Sequence, residues 1–171
     1  MPLDSHQQRL VRDRTSEMIA SAATAFSLRL KAPDVLFDLK GRAAGMFRVR
    51  RSVAEIRYNP WIFARWFDEN LEQTVPHEVA HFVVYSRFRR RVRPHGPEWR
   101  DVMALFGVAP NVTCEYRPED IADLPGRRMQ YLDYRCRCTT HSVSSIRHNR
   151  MVAGKARYLC RRCGSPLQRC D

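Results

Sequence analysis

Hydrophobic positions recur at helical spacing near the start of the chain and at strand spacing soon after. From residue 7 to about residue 30, apolar side chains return every three or four positions, which predicts one long amphipathic helix. Three short runs rich in β-branched and aromatic residues follow, at 35–39, 45–50 and 54–58, with a turn at Lys40-Gly41. The pattern predicts a small three-stranded sheet.

Helical spacing returns beyond the sheet. Asn59 is a good N-cap and Pro60 fits a first turn, so a helix is predicted from there to about residue 70. Another helix is predicted after Pro97 and stops at Gly107, a residue type common just past helix ends.

Thr74 and Pro76 mark the start of a helix between these two, which continues to about Phe88. Pro76 could instead lie in the kink of a helix that begins earlier.

This central helix carries His77, Glu78 and His81 among apolar residues. Positions four apart share one face of a helix, so both imidazoles can bind one Zn²⁺ while the carboxylate reaches a water molecule. Buried imidazoles and carboxylates need partners, and a metal ion supplies them. A hydrogen-bonded core without metal is the alternative.

A catalytic zinc site needs a third protein ligand, and two candidates follow the helix. His95 lies beside Gly96, which frees the backbone to bring the imidazole to the metal. Glu98 lies at roughly the separation used by proteases with two His ligands and one Glu ligand, although it also suits the first turn of a helix. The spacing does not decide which of the two residues is the third ligand.

The cysteines predict a second metal site. Cys160 and Cys163 have Cys-x-x-Cys spacing, whereas the other half is either Cys136 with Cys138, or Cys138 with His141 in place of Cys136. Four such ligands can staple a zinc ribbon of about forty residues, too small to fold on a core of its own. Free thiols are the alternative, and Cys114 and Cys170 have no paired spacing.

Composition adds charge to this picture. The chain of 171 residues has 30 Lys and Arg against 18 Asp and Glu, a formal net charge of +12, and a sequence pI of about 10.1. Such an excess predicts an acidic polymer as partner, nucleic acid before anionic membrane, and a merely soluble basic surface is the alternative. No apolar run approaches the roughly 20 residues that span a bilayer, so a cytoplasmic protein without membrane association is predicted.

Two arginine clusters are the candidate phosphate contacts. The first follows the histidine helix, and the second lies in the cysteine-containing segment. Their members are Arg89, Arg90, Arg91 and Arg93, and then Arg147, Arg150, Arg157, Arg161 and Arg162. Because the first cluster leads to His95, we expect bound phosphate to relieve charge repulsion there and to activate the site.

The His-Glu-x-x-His run at 77–81, the His-Gly-x-x-Trp run at 95–99 and the cysteine cluster together resemble the SprT-like metalloprotease family, in particular its bacterial members. The resemblance implies zinc ligands at His77, His81 and His95, with Glu78 as catalytic residue and Trp99 in packing. It also implies an α+β fold, namely a minimal zincin-like metalloprotease domain at 1–130, with helices packed on the small sheet, and a zinc ribbon at 131–171.

The family is related to the Spartan-type enzymes that digest proteins crosslinked to DNA. We therefore expect a zinc endopeptidase that associates with DNA and cleaves protein substrates. We expect it to hold one catalytic and one structural Zn²⁺. A nucleic-acid-binding zinc protein with a structural or vestigial metal site is the alternative.

Overall fold

The computed structural model describes residues 1–89, 92–112, 116–125 and 130–170. The chain divides into two compact units, Met1–Gly126 and Arg127–Asp171. The domain functions assigned above to 1–130 and 131–171 stay predictions. Within the described residues, no helix has an apolar stretch long enough to cross a bilayer.

The first unit begins with helix α1, Ser5–Ala25. Asp4 caps it, because the Asp4 carboxylate accepts the Gln7 N–H at 2.8 Å while the Gln7 side chain accepts the Asp4 N–H. The predicted end near residue 30 is wrong. The chain leaves the helix at Ser27, which has a φ of 51°, and the Leu28 N–H bonds back to the Ala23 carbonyl.

The predicted three-stranded sheet is confirmed. Its strands are β1 (Asp34–Leu36), β2 (Gly45–Arg50) and β3 (Val53–Tyr58), in the spatial order β1-β3-β2. Strand β1 runs parallel to β3, and β2 pairs antiparallel with β3 through a two-residue turn at Arg51 and Ser52, both with positive φ. Strand β2 is therefore an outer strand.

One nearly continuous helical run follows the sheet. It comprises α2 (Pro60–Arg65), α3 (Phe67–Glu69), a π-helical turn (Asn70–Thr74) and α4 (Val75–Phe88). Asn59 caps α2 as predicted.

The start predicted at Thr74 agrees with the bounds of α4, which begins at Val75, but α4 is not a separate helix, because the π-helical turn runs directly into it. Thr74 has helical dihedral angles, with φ −75° and ψ −39°, and its side chain caps nothing. Pro76 lies inside the run, as in the alternative reading. It has no N–H to donate to the preceding turn, and the wide π-turn immediately before it accommodates that loss.

Helix α4 is the centre of the first unit. It packs against α1, against β2 and β3, and against α5 (Pro97–Leu105), while a short 3₁₀ turn covers Pro118–Ile121. The α4 side chains buried in this core are Val75, Val79, Ala80, Phe82, Val83 and Val84.

The second unit has a small sheet with the order β5-β4-β6. Its elements are β4 (Tyr131–Arg135), β5 (Thr140–Ser144), helix α6 (Ser145–Val152) and β6 (Gln168–Arg169). Among the described residues of this unit, the buried hydrophobic ones are Tyr134, Val143 and Cys160. The ribbon interpretation did not include α6.

Candidate metal centre and catalytic site

Three imidazoles converge beside helix α4. The Nε2 atom of His81 lies 3.1 Å from that of His77 and 3.0 Å from that of His95, and the third separation is 3.2 Å. In a tetrahedral zinc site with Zn–N distances of about 2.0–2.1 Å, ligand nitrogens lie about 3.4 Å apart. The spacing of these atoms and the nature of the donors fit a metal ion bound by three histidines.

The histidines are in the protonation state that a metal requires. Burial is the main cause that lowers the pKa of His77 to about 4 and of His81 to about 3, and burial also lowers the pKa of His95. A lowered pKa keeps imidazole neutral at pH 7, and the neutral ring offers a lone pair to a metal.

Two further groups orient the imidazoles. The Nδ1 atom of His77 lies 3.2 Å from the backbone carbonyl oxygen of Asn111, and an Nδ1–H donated there leaves Nε2 as the metal-binding nitrogen. Trp99 is buried, donates its indole N–H to the His77 carbonyl at 3.3 Å, and lies within 5.7 Å of all three imidazole centroids. The sequence predicted packing for Trp99 but gave no signal for Asn111, whose contact is a backbone atom.

Among the described residues that are buried, Glu78 is the only charged one. It is 6% exposed and accepts a hydrogen bond from the backbone N–H of Phe47 on β2. Burial raises the pKa of Glu78 to about 7, against the lowering effect of the Phe47 bond. A carboxyl group with this pKa can both accept and release a proton near neutrality.

The two candidates for the third ligand lie in different places. His95, with a φ of 56°, joins His77 and His81, whereas Glu98 lines a separate cavity with Phe26 and Arg87. Within the described part of the chain, no carboxylate belongs to the histidine group.

Open cavities flank the histidine group. One of about 430 Å³ is lined by His77, Glu78 and Tyr116 among others. The other, of about 320 Å³, lies on the side of His81 and His95.

The second cavity is lined in part by the predicted arginines Arg89 and Arg93, and the Arg89 guanidinium lies over the ring of Tyr85 at 5.3 Å. Arg90 and Arg91, predicted with them, lie outside the described residues.

The second unit brings four thiols together. Cys136, Cys138, Cys160 and Cys163 have sulfur atoms within 4.8 Å of one another, with 3.4 Å between Cys136 and Cys138 and 3.7 Å between Cys138 and Cys160. Four sulfurs around one zinc ion lie about 3.8 Å apart. The cluster is compatible with a structural zinc ion.

His141 does not belong to the four-thiol group. Its Nε2 atom lies 3.2 Å from the Cys136 sulfur, which also accepts the N–H groups of Cys138 and Thr139. These donors stabilise a thiolate at Cys136, so the structure favours His141 as a hydrogen-bonding partner of the site. Cys170 bonds through its N–H to Asp133, and Cys114 lies outside the described residues.

Positive charge concentrates in the second unit. Residues 130–170 contain nine Lys and Arg and a single acidic residue. Every ion pair between described residues lies in the first unit, so the described basic groups of the second unit are not neutralised in that way. The predicted arginines here are exposed, namely Arg147, Arg150, Arg157, Arg161 and Arg162.

Comparison with known proteins points to the same family as the histidine and cysteine motifs. Residues 15–117 match the SprT-like family, which is more than half of the chain. The chain belongs to the SprT-like family. Its matched region contains both histidine positions on α4, Glu78 and His95, and it ends before the cysteine cluster.

Curated relatives of this SprT-like chain cover nearly its whole length. Protein SprT of Vibrio parahaemolyticus is 36% identical over 152 residues, covering 88% of this chain and 87% of the relative. Protein SprT of Pasteurella multocida is 33% identical over 159 residues, with coverages of 92% and 91%. The SprT-like resemblance inferred from the motifs is confirmed. No solved structure matches the chain.

Proposed function

We propose that this protein is a zinc-dependent endopeptidase with a zincin-like catalytic unit that acts on proteins associated with DNA. The convergence of His77, His81 and His95 beside the buried carboxylate of Glu78 carries the proposal. Membership of the SprT-like family supports it.

The proposed reaction is hydrolysis of a peptide bond. The three histidines would hold Zn²⁺, which when bound supplies a Lewis acid that polarises the scissile carbonyl and favours deprotonation of water. Glu78 accepts a proton from the attacking water and delivers it to the departing amide nitrogen as the C–N bond breaks. Its pKa of about 7 suits both transfers.

The cavities on the two sides of the histidine group support cleavage within a chain. A substrate segment that crosses the group would place side chains in the cavity beside Glu78 and in the one beside Arg89 and Arg93. An endopeptidase needs room on both sides of the scissile bond, and this arrangement provides it.

DNA is the proposed partner on grounds of charge. The excess of basic residues at 130–170 and their lack of ion pairs among described residues favour a polyanion. Arg147 lies over the ring of Tyr158 at 5.6 Å, which pairs a cation with an aromatic face of the kind that stacks on bases.

The test replaces Glu78 with Gln in the zinc-loaded protein and measures cleavage of a basic DNA-binding protein with and without DNA. We expect kcat to fall by about 10²–10⁴-fold while zinc content stays normal. Glu72→Gln, an exposed position on the preceding turn, is the matched control and should retain wild-type activity. Wild-type activity in the Glu78→Gln protein would refute the proposed role.

The charge of the second unit also favours a second candidate, a DNA-binding zinc protein whose histidine site is structural. X-ray absorption on the first site distinguishes the two. Three nitrogen donors with an exchangeable position support catalysis, whereas four closed protein ligands support a structural role.

A further inference from the structure

Gly45 has an unusually close neighbour for a glycine in a strand. A Cβ atom built on Gly45 would lie 2.6 Å from Cγ and 2.7 Å from Oε1 of Glu78, and 2.8 Å from Cγ2 of Thr74. Real Cβ atoms essentially never approach other heavy atoms below 3.0 Å. Any other residue at position 45 must therefore move the carboxylate or the strand.

Backbone conformation does not explain this glycine. Gly41, Gly107, Gly154 and Gly164 have positive φ, and a Cβ on any of them would meet nothing within 4 Å. Gly45 lies in the pleated strand β2, paired with Tyr58, and does not have a positive φ. The close approach of Glu78 is what excludes a side chain here.

The same strand contacts Glu78 at a second point. Two residues along β2, the Phe47 N–H donates to the Glu78 carboxylate. Period-two alternation puts positions 45 and 47 on the same face of the strand. A bare Cα and a backbone donor therefore fix the carboxylate between them.

Thr74 closes the other side of this contact. Its hydroxyl donates to the Asn70 side chain at 2.7 Å, and its methyl group packs against Gly45. The π-helical turn that contains Thr74 leads directly into α4, so the turn and the strand approach Glu78 together.

We propose that Gly45 is a positioning residue for Glu78, because its missing side chain lets the carboxylate lie against β2 within reach of the Phe47 N–H. This inference rests on the proposed peptidase function for its kinetic consequence. The contact itself is independent of catalysis. It can therefore be tested separately.

The kinetic test is Gly45→Ala in the full-length zinc-loaded protein. The added methyl displaces the Glu78 carboxylate, and misplacement of a reacting group by about 1 Å costs roughly a hundredfold in rate. We expect a loss of that size in kcat with KM and zinc content near wild type. Met46→Ala is the control, since Met46 is exposed on the opposite face of the same strand, and it should keep wild-type kcat.

A further variant separates positioning from packing. Thr74→Ser removes the methyl that an alanine at 45 would meet, so Gly45→Ala/Thr74→Ser should recover part of the lost thermal stability. Glu78 stays displaced, so kcat should remain low. Recovery of kcat together with stability would overturn the positioning role.

The contact is tested by thermal unfolding. Gly45→Ala should lower Tm clearly in the wild-type background and less in Glu78→Ala, where the two Glu78 atoms that clash are gone and only the Thr74 methyl group remains. If Gly45→Ala alone does not fold, recovery of folding in the Glu78→Ala background supports the contact. Equal penalties in both backgrounds, or failure to fold in both, would overturn it. If the wild-type protein is inactive, the peptidase function is refuted. The comparison of Tm values in the two backgrounds then still tests the contact between Gly45 and Glu78.

Discussion

The hydroxyl of Tyr116 lies 2.9 Å from the side-chain oxygen of Asn70, and this bond ties the segment after α5 to the π-helical turn before α4. Asn70 is fully buried. Its oxygen also accepts the Thr74 hydroxyl, and its amide donates to the Trp66 carbonyl at 2.7 Å. One side chain therefore stabilises the turn that sets the direction of the histidine helix.

Asn70→Ala should destabilise the protein strongly. Removing the amide deletes three hydrogen bonds in buried or half-buried surroundings, which costs about 2–4 kcal/mol of the free energy of unfolding. Urea unfolding of the zinc-loaded protein measures the loss. Glu72→Ala, exposed on the same turn, is the control and should change stability by less than about 0.5 kcal/mol. Similar losses in the two variants would show that the Asn70 bonds are dispensable.

The backbone carbonyl of Asn111, rather than its side chain, should affect zinc affinity at the first site. Asn111→Gly loosens the segment that accepts the His77 Nδ1–H, so we expect zinc affinity at the first site to fall by about tenfold or more. Asn111→Ala keeps both the carbonyl and an ordinary backbone, so its zinc affinity should match wild type. Chelator competition gives both dissociation constants. A loss of the same size in both variants would assign the effect to the side chain instead.

The third ligand can be assigned by a paired substitution. His95→Ala should remove the zinc ion of the first site, because it deletes one of the three converging nitrogens. Glu98→Ala should leave that ion bound, since Glu98 faces another cavity. Zinc stoichiometry by elemental analysis decides between them. Retained zinc in His95→Ala with loss in Glu98→Ala would reverse the assignment.

The cysteine site should respond differently to its two candidate partners. Cys136→Ser should release the structural zinc ion, whereas His141→Ala should keep the stoichiometry and weaken affinity by about 10–100-fold, as loss of a ligand's hydrogen-bonding partner does. Titration with a zinc-binding dye gives both values. Loss of zinc only in His141→Ala would restore the Cys138–His141 alternative.

The arginines beside His95 should couple DNA to catalysis. Charge reversal at Arg89 and Arg93 should weaken DNA stimulation of cleavage more than zinc binding, because both line the cavity next to the histidine group. Stimulation should also fall steeply as salt rises. Arg9→Glu, exposed on α1, is the control for net charge. A full rate without DNA or salt dependence would show that the basic residues do not regulate the site.

Local signals predicted the elements that position the candidate site. Strand alternation gave β2 at its observed bounds, and the Asn59 cap gave the start of α2. Helix boundaries failed where backbone geometry departs from the ordinary α-helix. The π-turn before Pro76 joins two predicted helices into one run, and residue periodicity contains no signal for such a turn.

The residues of the candidate site also divide into those that the sequence predicts and those that it does not. The His-Glu-x-x-His pattern pointed to His77, Glu78 and His81, because spacing of four residues places the two imidazoles on one helical face with the carboxylate next to the first. Spacing could not choose between His95 and Glu98, since loop conformation decides which of them reaches the helix. The roles of the Asn111 carbonyl and of Gly45 were not predictable, because a backbone oxygen and a missing side chain leave no residue type to recognise.

The scarcity of buried side chains in the second unit gives the two metal sites different consequences for folding. The first unit has a core built around α4, and α1, α5 and the sheet can pack without any ion. The second has only Tyr134, Val143 and Cys160 buried among its described hydrophobic residues, so its fold depends on the thiol site. Zinc starvation would therefore unfold the basic unit first, while the unit that carries His77, His81 and His95 stays folded.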